Sequence, residues 1–269
     1  MNIANICISH KYSDILEDDS FFHIQVGAVN SQNDLSIHRD DQGDNISQKN
    51  PNYCELTGLY WFWKNELPNY DVVVLNHYRR LFLNDDGKKL SYQDIEKIFQ
   101  SYDVFVPYPK HYPVSITHQY QIMHESKDFG ILKTILKAKY PDYDVATLWD
   151  NNNKGYLYNM FGMKADDFNQ AMIFVFDILS EVEKQVDISQ YSVQQARIFG
   201  FMSERLLSLY VQQNFKKIKH LPISFIDNEE KVHIFKENKG VNDFAYKCQK
   251  PFSPLVNRAL KTVMTSRSK

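Results

Sequence analysis

Asn76, His77, Tyr78, Arg79 and Arg80 directly follow the apolar run Val72-Val73-Val74-Leu75, so an amide, an imidazole, a phenol and two guanidiniums stand together at a strand end. Guanidinium forks take phosphate oxygens in pairs, which suits the diphosphate of a nucleotide-linked substrate. A surface ion-pair patch is the other reading, but charges delivered by a buried strand are expensive without an anionic partner. Upstream, Asp40, Asp41, Asp44, Asn45 and Ser47 precede a segment carrying Glu55, Tyr60, Trp61 and Trp63. The aspartates could bind a divalent cation, hold sugar or ribose hydroxyls, or solvate a loop, and spacing alone leaves these open. Asn45 and Ser47 add groups suited to polyols. Tyr60 and Trp63 offer either a stacking wall or a core face, and Glu55 is either a substrate contact or a first-turn acid favoured by the helix dipole.

Glu204, in the stretch GFMSERLL, is the expected general base. An apolar helical face would desolvate it and raise its pKa, with Arg205 beside it as a holder. The alternative is a structural glutamate paired with Arg197 or Arg205. His118 and His124, with Glu125 and Asp128, have ligand chemistry without the HExxH spacing of zinc hydrolases. No Walker loop, GxGxxG, GxSxG elbow or kinase signature is present.

The elements that must position these groups follow from periodicity. Residues 3–9, 22–29, 71–75 and 104–106 read as strands, and 53–64, 92–101, 168–186 and 198–213 as helices. Between them, 30–52 reads as a long polar loop, 112–143 as loop then helix, 149–154 as a polar turn and 156–163 as a strand or tight buried segment. Alternating strands and helices indicate an α/β fold with ligands outside the carboxyl ends of the strands. From Leu255 onward an apolar stripe is flanked by Arg258, Lys261, Arg267 and Lys269, which suits either an anionic membrane surface or a docked terminal helix.

Composition narrows the class. With 269 residues the chain can form one enzyme-sized unit, and its net charge of -2 argues against nucleic acid as a partner. Aromatics make up 14% of residues, which suits stacking on sugar or base rings, although most of them are expected in the core. Three well-separated cysteines indicate neither a disulfide framework nor a zinc site. The N-terminus reads as a strand rather than a signal peptide, and no apolar run approaches the roughly 18 residues of a membrane span, so a cytoplasmic location is expected.

The motifs DDQGDNISQKNPNYCELTGLYWFWKN, NHYRRLF, YLYNMFGMKADDF and ARIFGFMSERLL, in this order, resemble the bacterial capsular and exopolysaccharide glycosyltransferases long catalogued as a domain of unknown function. The resemblance implies transfer of a hexose, in some relatives galactofuranose, from a UDP-sugar to a lipid-linked polysaccharide acceptor. It also implies a GT-A-like single Rossmann-type domain with a mixed sheet and added C-terminal helices. That domain would span 1–226, with a nucleotide-sugar half to about residue 110 and an acceptor half beyond it, followed by an extension over 227–269 that could touch the inner membrane face. In the GT-A fold a strand usually ends in Asp-x-Asp, which holds a divalent metal. Here that place reads Asn76-His77-Tyr78-Arg79-Arg80, so protein cations are expected in place of Mn or Mg, with the aspartates of the 40–44 loop as the reservation. On this reading transfer inverts the anomeric centre. Glu204 deprotonates the acceptor; Arg79, Arg80 and His77 stabilise departing UDP; and Asn76, Tyr78 and the 40–47 loop bind substrate with Glu55, Tyr60 and Trp63. Tyr158, Asn159 and Met160 shape the acceptor side. A non-catalytic sugar- or nucleotide-binding module assisting a polysaccharide synthase is the alternative.

Overall fold

Strand β1 (Ile3–Ser9) is buried along its whole length, the pattern of a strand covered on both faces. The structure, a computed structural model, describes residues 1–227, 229, 231–237 and 246–248. In chain order the following elements are β2 (Phe22–Gln25), β3 (His38–Arg39), α1 (Asn50–Tyr53), α2 (Leu56–Asn65), β4 (Val72–His77), β5 (Arg80–Phe82), α3 (Tyr92–Phe99), β6 (Val104–Pro107), β7 (Lys110–His111), α4 (Ile116–Met123) and α5 (Ser126–Lys139). They continue with β8 (Lys154–Gly155), β9 (Gly162–Lys164), α6 (Ala165–Glu183), α7 (Ile198–Asn214), β10 (Ile218–Leu221), β11 (Ile223–Ile226) and β12 (Val232–Phe235).

The main sheet runs β10-β6-β9-β4-β1-β2-β3, with β5, β11 and β12 extending from β4. Strand β1 pairs in parallel with both β2 and β4. Strand β9 lies antiparallel between β4 and β6, which makes the sheet mixed. Successive side chains of a strand point to opposite faces. Accordingly Val73 and Leu75 join the cluster built by α2, α5, α6 and α7, while Val72 and Val74 pack with Ile95 and Phe99 of α3. The result is a sheet between two helical layers, with its parallel strands β1 and β4 side by side.

Several expected boundaries move for identifiable reasons. Strand β4 continues to His77 because Asn76 and His77 pair with Cys7 and Ile8. Strand β2 stops at Gln25, ahead of Gly27 at φ +64°. The expected helix from residue 53 is broken at Cys54 (φ +54°), so Tyr53 ends α1 and α2 begins afresh at Leu56. The long loop contains β3 and the start of α1, and the polar turn near residue 150 is a π-helical turn over Ala146–Asp150. In 156–163, Tyr158 and Asn159 take positive φ, so only β9 is strand. Among the described residues no helix is long and apolar enough to cross a membrane. The stripe from Leu255 onward lies outside the described residues.

Candidate active site

Parallel strands release their chains at the carboxyl edge of the sheet, and a cleft of about 580 Å³ opens there. Strand β4 ends in it with His77, followed by Tyr78, Arg79 and Arg80, and β1 leads into His10. The break at Cys54 sets Glu55 ahead of α2, and α7 contributes Glu204, with Arg197 just before it. Two carboxylates therefore share one cleft with three guanidiniums.

Each side chain has a definite setting. Arg80 lies over the Tyr158 ring at 4.4 Å, and its buried Nε has no hydrogen-bond partner among the described residues. Arg79 donates through Nε to Ile226 O at 2.8 Å. His77 is 8% exposed and its Nε2 lies 2.6 Å from Tyr158 O. A carbonyl only accepts, so Nε2 carries the hydrogen. Burial, with Arg80 nearby, pushes the His77 pKa down to about 4, so the ring is neutral near pH 7. Glu204 accepts from Tyr158 N at 3.0 Å and from Arg205 Nη1 at 2.8 Å. Glu55 accepts from Asn159 Nδ2 at 2.7 Å. Burial raises the pKa of both glutamates; Arg205 and the Asn159 amide pull the other way for Glu204 and Glu55 respectively, and the Glu55 charge raises Glu204 further.

Of the residues singled out from sequence, His77, Tyr78, Arg79, Arg80, Glu55 and Glu204 line the cleft, and Asn159 touches it through Glu55. The others are elsewhere. Asn76 spends its amide inside the sheet, donating to Asn5 Oδ1 at 2.9 Å and accepting from Phe82 N at 3.0 Å, so it joins β1, β4 and β5 instead of meeting substrate. Asp40 is fully buried and accepts from Gly27 N, Ala28 N and Ser47 Oγ. Asp41 pairs with Arg39 at 2.7 Å, Asp44 accepts from Tyr60 Oη, and Asn45 bonds Gly43 O and Ser47 N. This loop is tied to itself and to α2, and none of the five lines the cleft. Trp63 stacks on Phe176 of α6 and donates to Asn169, with Tyr60 edge-on to the same Phe176, so this pair is an interhelical wall. Helical spacing shows that a face is covered, not what covers it.

His10, Cys54 and Arg197 enter the cleft without a sequence signal that would have nominated them as substrate contacts. Arg197 had entered only as a partner for Glu204. The ring of His10 meets Tyr78 edge-on at 5.1 Å. Arg197 Nε lies 3.2 Å from Cys54 Sγ. Asp40→Ala should cost about 2–3 kcal/mol, since two buried N–H groups and a hydroxyl lose their acceptor, while nucleotide binding stays unchanged. Denaturant unfolding alongside UDP titration reads both; weakened UDP binding in a stable Asp40→Ala protein would return the loop to the substrate site.

The donor set at the end of β4 does not fit the divalent metal of the wider fold class. Asn76 is used internally, His77 faces a carbonyl, and the next side chains inward are cations. Among the described residues no group of three or more His, Cys, Asp or Glu is placed to hold a metal ion.

A family model described as a domain of unknown function, DUF4422, matches residues 5–215. No curated protein matches the chain. The solved apo structure of the WbbM bifunctional glycosyltransferase is similar over 90% of this chain, with 27% identity and a TM-score of 0.77. The chain spans about half of WbbM, 48% of its length. Core-mannan synthase A (CmsA/Ktr4) from Aspergillus fumigatus, in an Mn/GDP form, aligns distantly over 91% of this chain and 82% of its own, at 12% identity and a TM-score of 0.42. The fold is α/β with a mixed sheet, GT-A-like as in WbbM.

Proposed function

The chain belongs to the DUF4422 family, and from that premise we propose that it is a glycosyltransferase using a UDP-hexose donor. The observation that carries the reading is the cleft itself, where Glu55 and Glu204 stand with Arg79, Arg80 and Arg197 at the carboxyl edge of a GT-A-like sheet. Glycosyl transfer from a nucleotide sugar needs a fixed positive field where the diphosphate departs and a base where the acceptor hydroxyl loses its proton. The arginines meet the first need and a glutamate with raised pKa the second. Likeness to WbbM supports the same class of chemistry.

The donor sugar is galactose or galactofuranose, and the acceptor is a lipid-linked oligosaccharide of capsule or exopolysaccharide synthesis. Transfer is a single displacement with inversion. The acceptor oxygen attacks the anomeric carbon as UDP leaves toward Arg79 and Arg80, and a cleft carboxylate takes the proton. His77, neutral and donating to Tyr158 O, keeps the floor of the cleft in place. The cation-rich sequence after Asp243 suits an acceptor presented at a membrane face.

Thermal unfolding with UDP, UDP-galactose, UDP-galactofuranose and UDP-glucose, in EDTA and in manganese, tests the reading. UDP should stabilise the chain in EDTA, by about 2.7 kcal/mol at a hundredfold excess over its dissociation constant. No stabilisation by any of the four, with or without manganese, would sink it.

A further inference from the structure

Tyr158 and Asn159 are consecutive non-glycine residues at φ +71° and +52°. Left-handed backbone of this kind persists only where its surroundings hold it, and such sites cluster at functional centres. Here four cleft residues hold the turn, with the buried Ser203 behind them. Tyr158 N donates to Glu204 Oε1 at 3.0 Å, Tyr158 O accepts from His77 Nε2 at 2.6 Å, and the ring carries the Arg80 guanidinium at 4.4 Å. Asn159, 3% exposed, donates from Nδ2 to Glu55 Oε1 at 2.7 Å, and its Oδ1 lies 3.1 Å from the Ser203 hydroxyl.

The turn treats the two carboxylates differently. Both oxygens of Glu204 are engaged, one by Tyr158 N and the other by Arg205 Nη1. Arg205 is itself buried and fixed by Phe201 O at 2.9 Å and Gln119 Oε1 at 2.7 Å. Glu204 is thus held at both oxygens, with 19% of its side chain exposed. Among the described residues Glu55 is bonded by one other side chain, Asn159 on Oε1, together with its own backbone N–H, and its carboxylate has no ion-pair partner.

We propose that Glu55 is the base that takes the proton of the attacking hydroxyl and that Asn159 is the positioning residue that aims it. The assignment rests on the glycosyltransferase reading above. The acceptor oxygen forms its bond to the anomeric carbon, and its proton passes to the Glu55 carboxylate. The anomeric carbon–oxygen bond breaks, and its electron pair leaves on the β-phosphate oxygen of UDP, where Arg80 meets the charge. Glu204, with both oxygens engaged, holds the turn. Facing Glu55 are Glu204 of α7, Arg197 before it, Arg80 of β5 and the neighbouring Cys54 thiol. Burial raises the Glu55 pKa, so its protonation should appear as the acid limb of the rate profile.

UDP release from UDP-galactose, with octyl galactoside as acceptor, reads the assignment in the full chain. Glu55→Gln should lower kcat by about 10²-fold or more while UDP binds within about twofold of wild type. Asn159→Ala should lower kcat, leave the donor KM near its wild-type value and move the acid limb to higher pH, because a hydrogen bond to the ionised form is lost. Glu204→Gln should move that limb to lower pH, because a like charge is removed. A merely structural Asn159 would lower activity without moving the limb. If Glu55→Gln does not fold, Glu55→Asp decides, since its shorter carboxylate should cost kcat while UDP binding holds. Turnover kept in Glu55→Gln, or an acid limb abolished by Glu204→Gln alone, overturns the assignment and leaves the glycosyltransferase reading standing. Wild-type chain that neither binds UDP nor releases it from any UDP-hexose overturns both.

Discussion

Arg80→Ala should leave a folded protein that has lost about 10²–10³-fold in UDP-sugar turnover, the usual cost of removing one preorganised donor from a site of developing negative charge. The main chain of Arg80 pairs with His77 of β4 and Phe225 of β11, and those bonds do not involve the side chain. The guanidinium itself packs on Tyr158, and among the described residues it holds no ion pair and its buried Nε has no acceptor. A buried donor left open toward a cleft is costly unless a ligand completes it. The diphosphate would do so. Arg80→Lys keeps the charge but not the fork, so it should fall between wild type and Arg80→Ala. Arg79→Ala should behave differently, losing stability as well as activity, since Arg79 Nε ties the chain to Ile226 O of β11. Turnover near wild type in a well-folded Arg80→Ala protein would remove the arginine from the leaving-group role.

What could be read from sequence divides along physical lines. The cluster at the end of β4 was legible because it is local: an apolar run is interrupted by cations, and burial economics turns that into a site. Glu204 was legible as a desolvated acid for the same reason. Its partners were not, since Asn159 reaches Glu55 across 104 positions and Tyr158 reaches Glu204 across 46. The aspartate loop shows the reverse error. Its polar residues had the composition of a ligand site, yet their partners are backbone amides of Gly27 and Ala28 and the neighbouring Ser47. Composition cannot distinguish a loop that bonds a sugar from one that bonds itself.

The layers of the fold followed from periodicity, and its exceptions did not. Positive φ at Cys54 and Tyr158 is carried by residues with no special tolerance for it, and Asn159, of a type that does tolerate it, is one of many asparagines, so residue type alone does not mark the turns. Strand β9 is three residues long, too short for alternation to appear, although it decides that the sheet is mixed.

That strand also carries the largest stability effect expected here. Gly162 pairs with Val74 on one side and Phe105 on the other. A Cβ added at Gly162 would stand 2.1 Å from both Cε1 and Cζ of Phe105. Phe105 is fully buried, edge-on to Phe82 at 5.1 Å and 5.7 Å from Phe99, so its ring has no vacant space to enter. Overpacking a dense core forces rotamer and backbone shifts, and Gly162→Ala should cost at or above the roughly 3 kcal/mol top of the usual range. For a chain of this size that is a fall of about 6–12 °C in Tm. Function should suffer beyond stability, because β9 begins three residues after Asn159, and a displaced strand carries with it the turn that holds Glu55 and Glu204. Denaturant unfolding of Gly162→Ala, with UDP release measured well below its Tm, separates the two effects. A variant within about 1 kcal/mol of wild type and fully active would mean that Phe105 can leave its place at little cost, and that the glycine is not what lets β9 lie between β4 and β6.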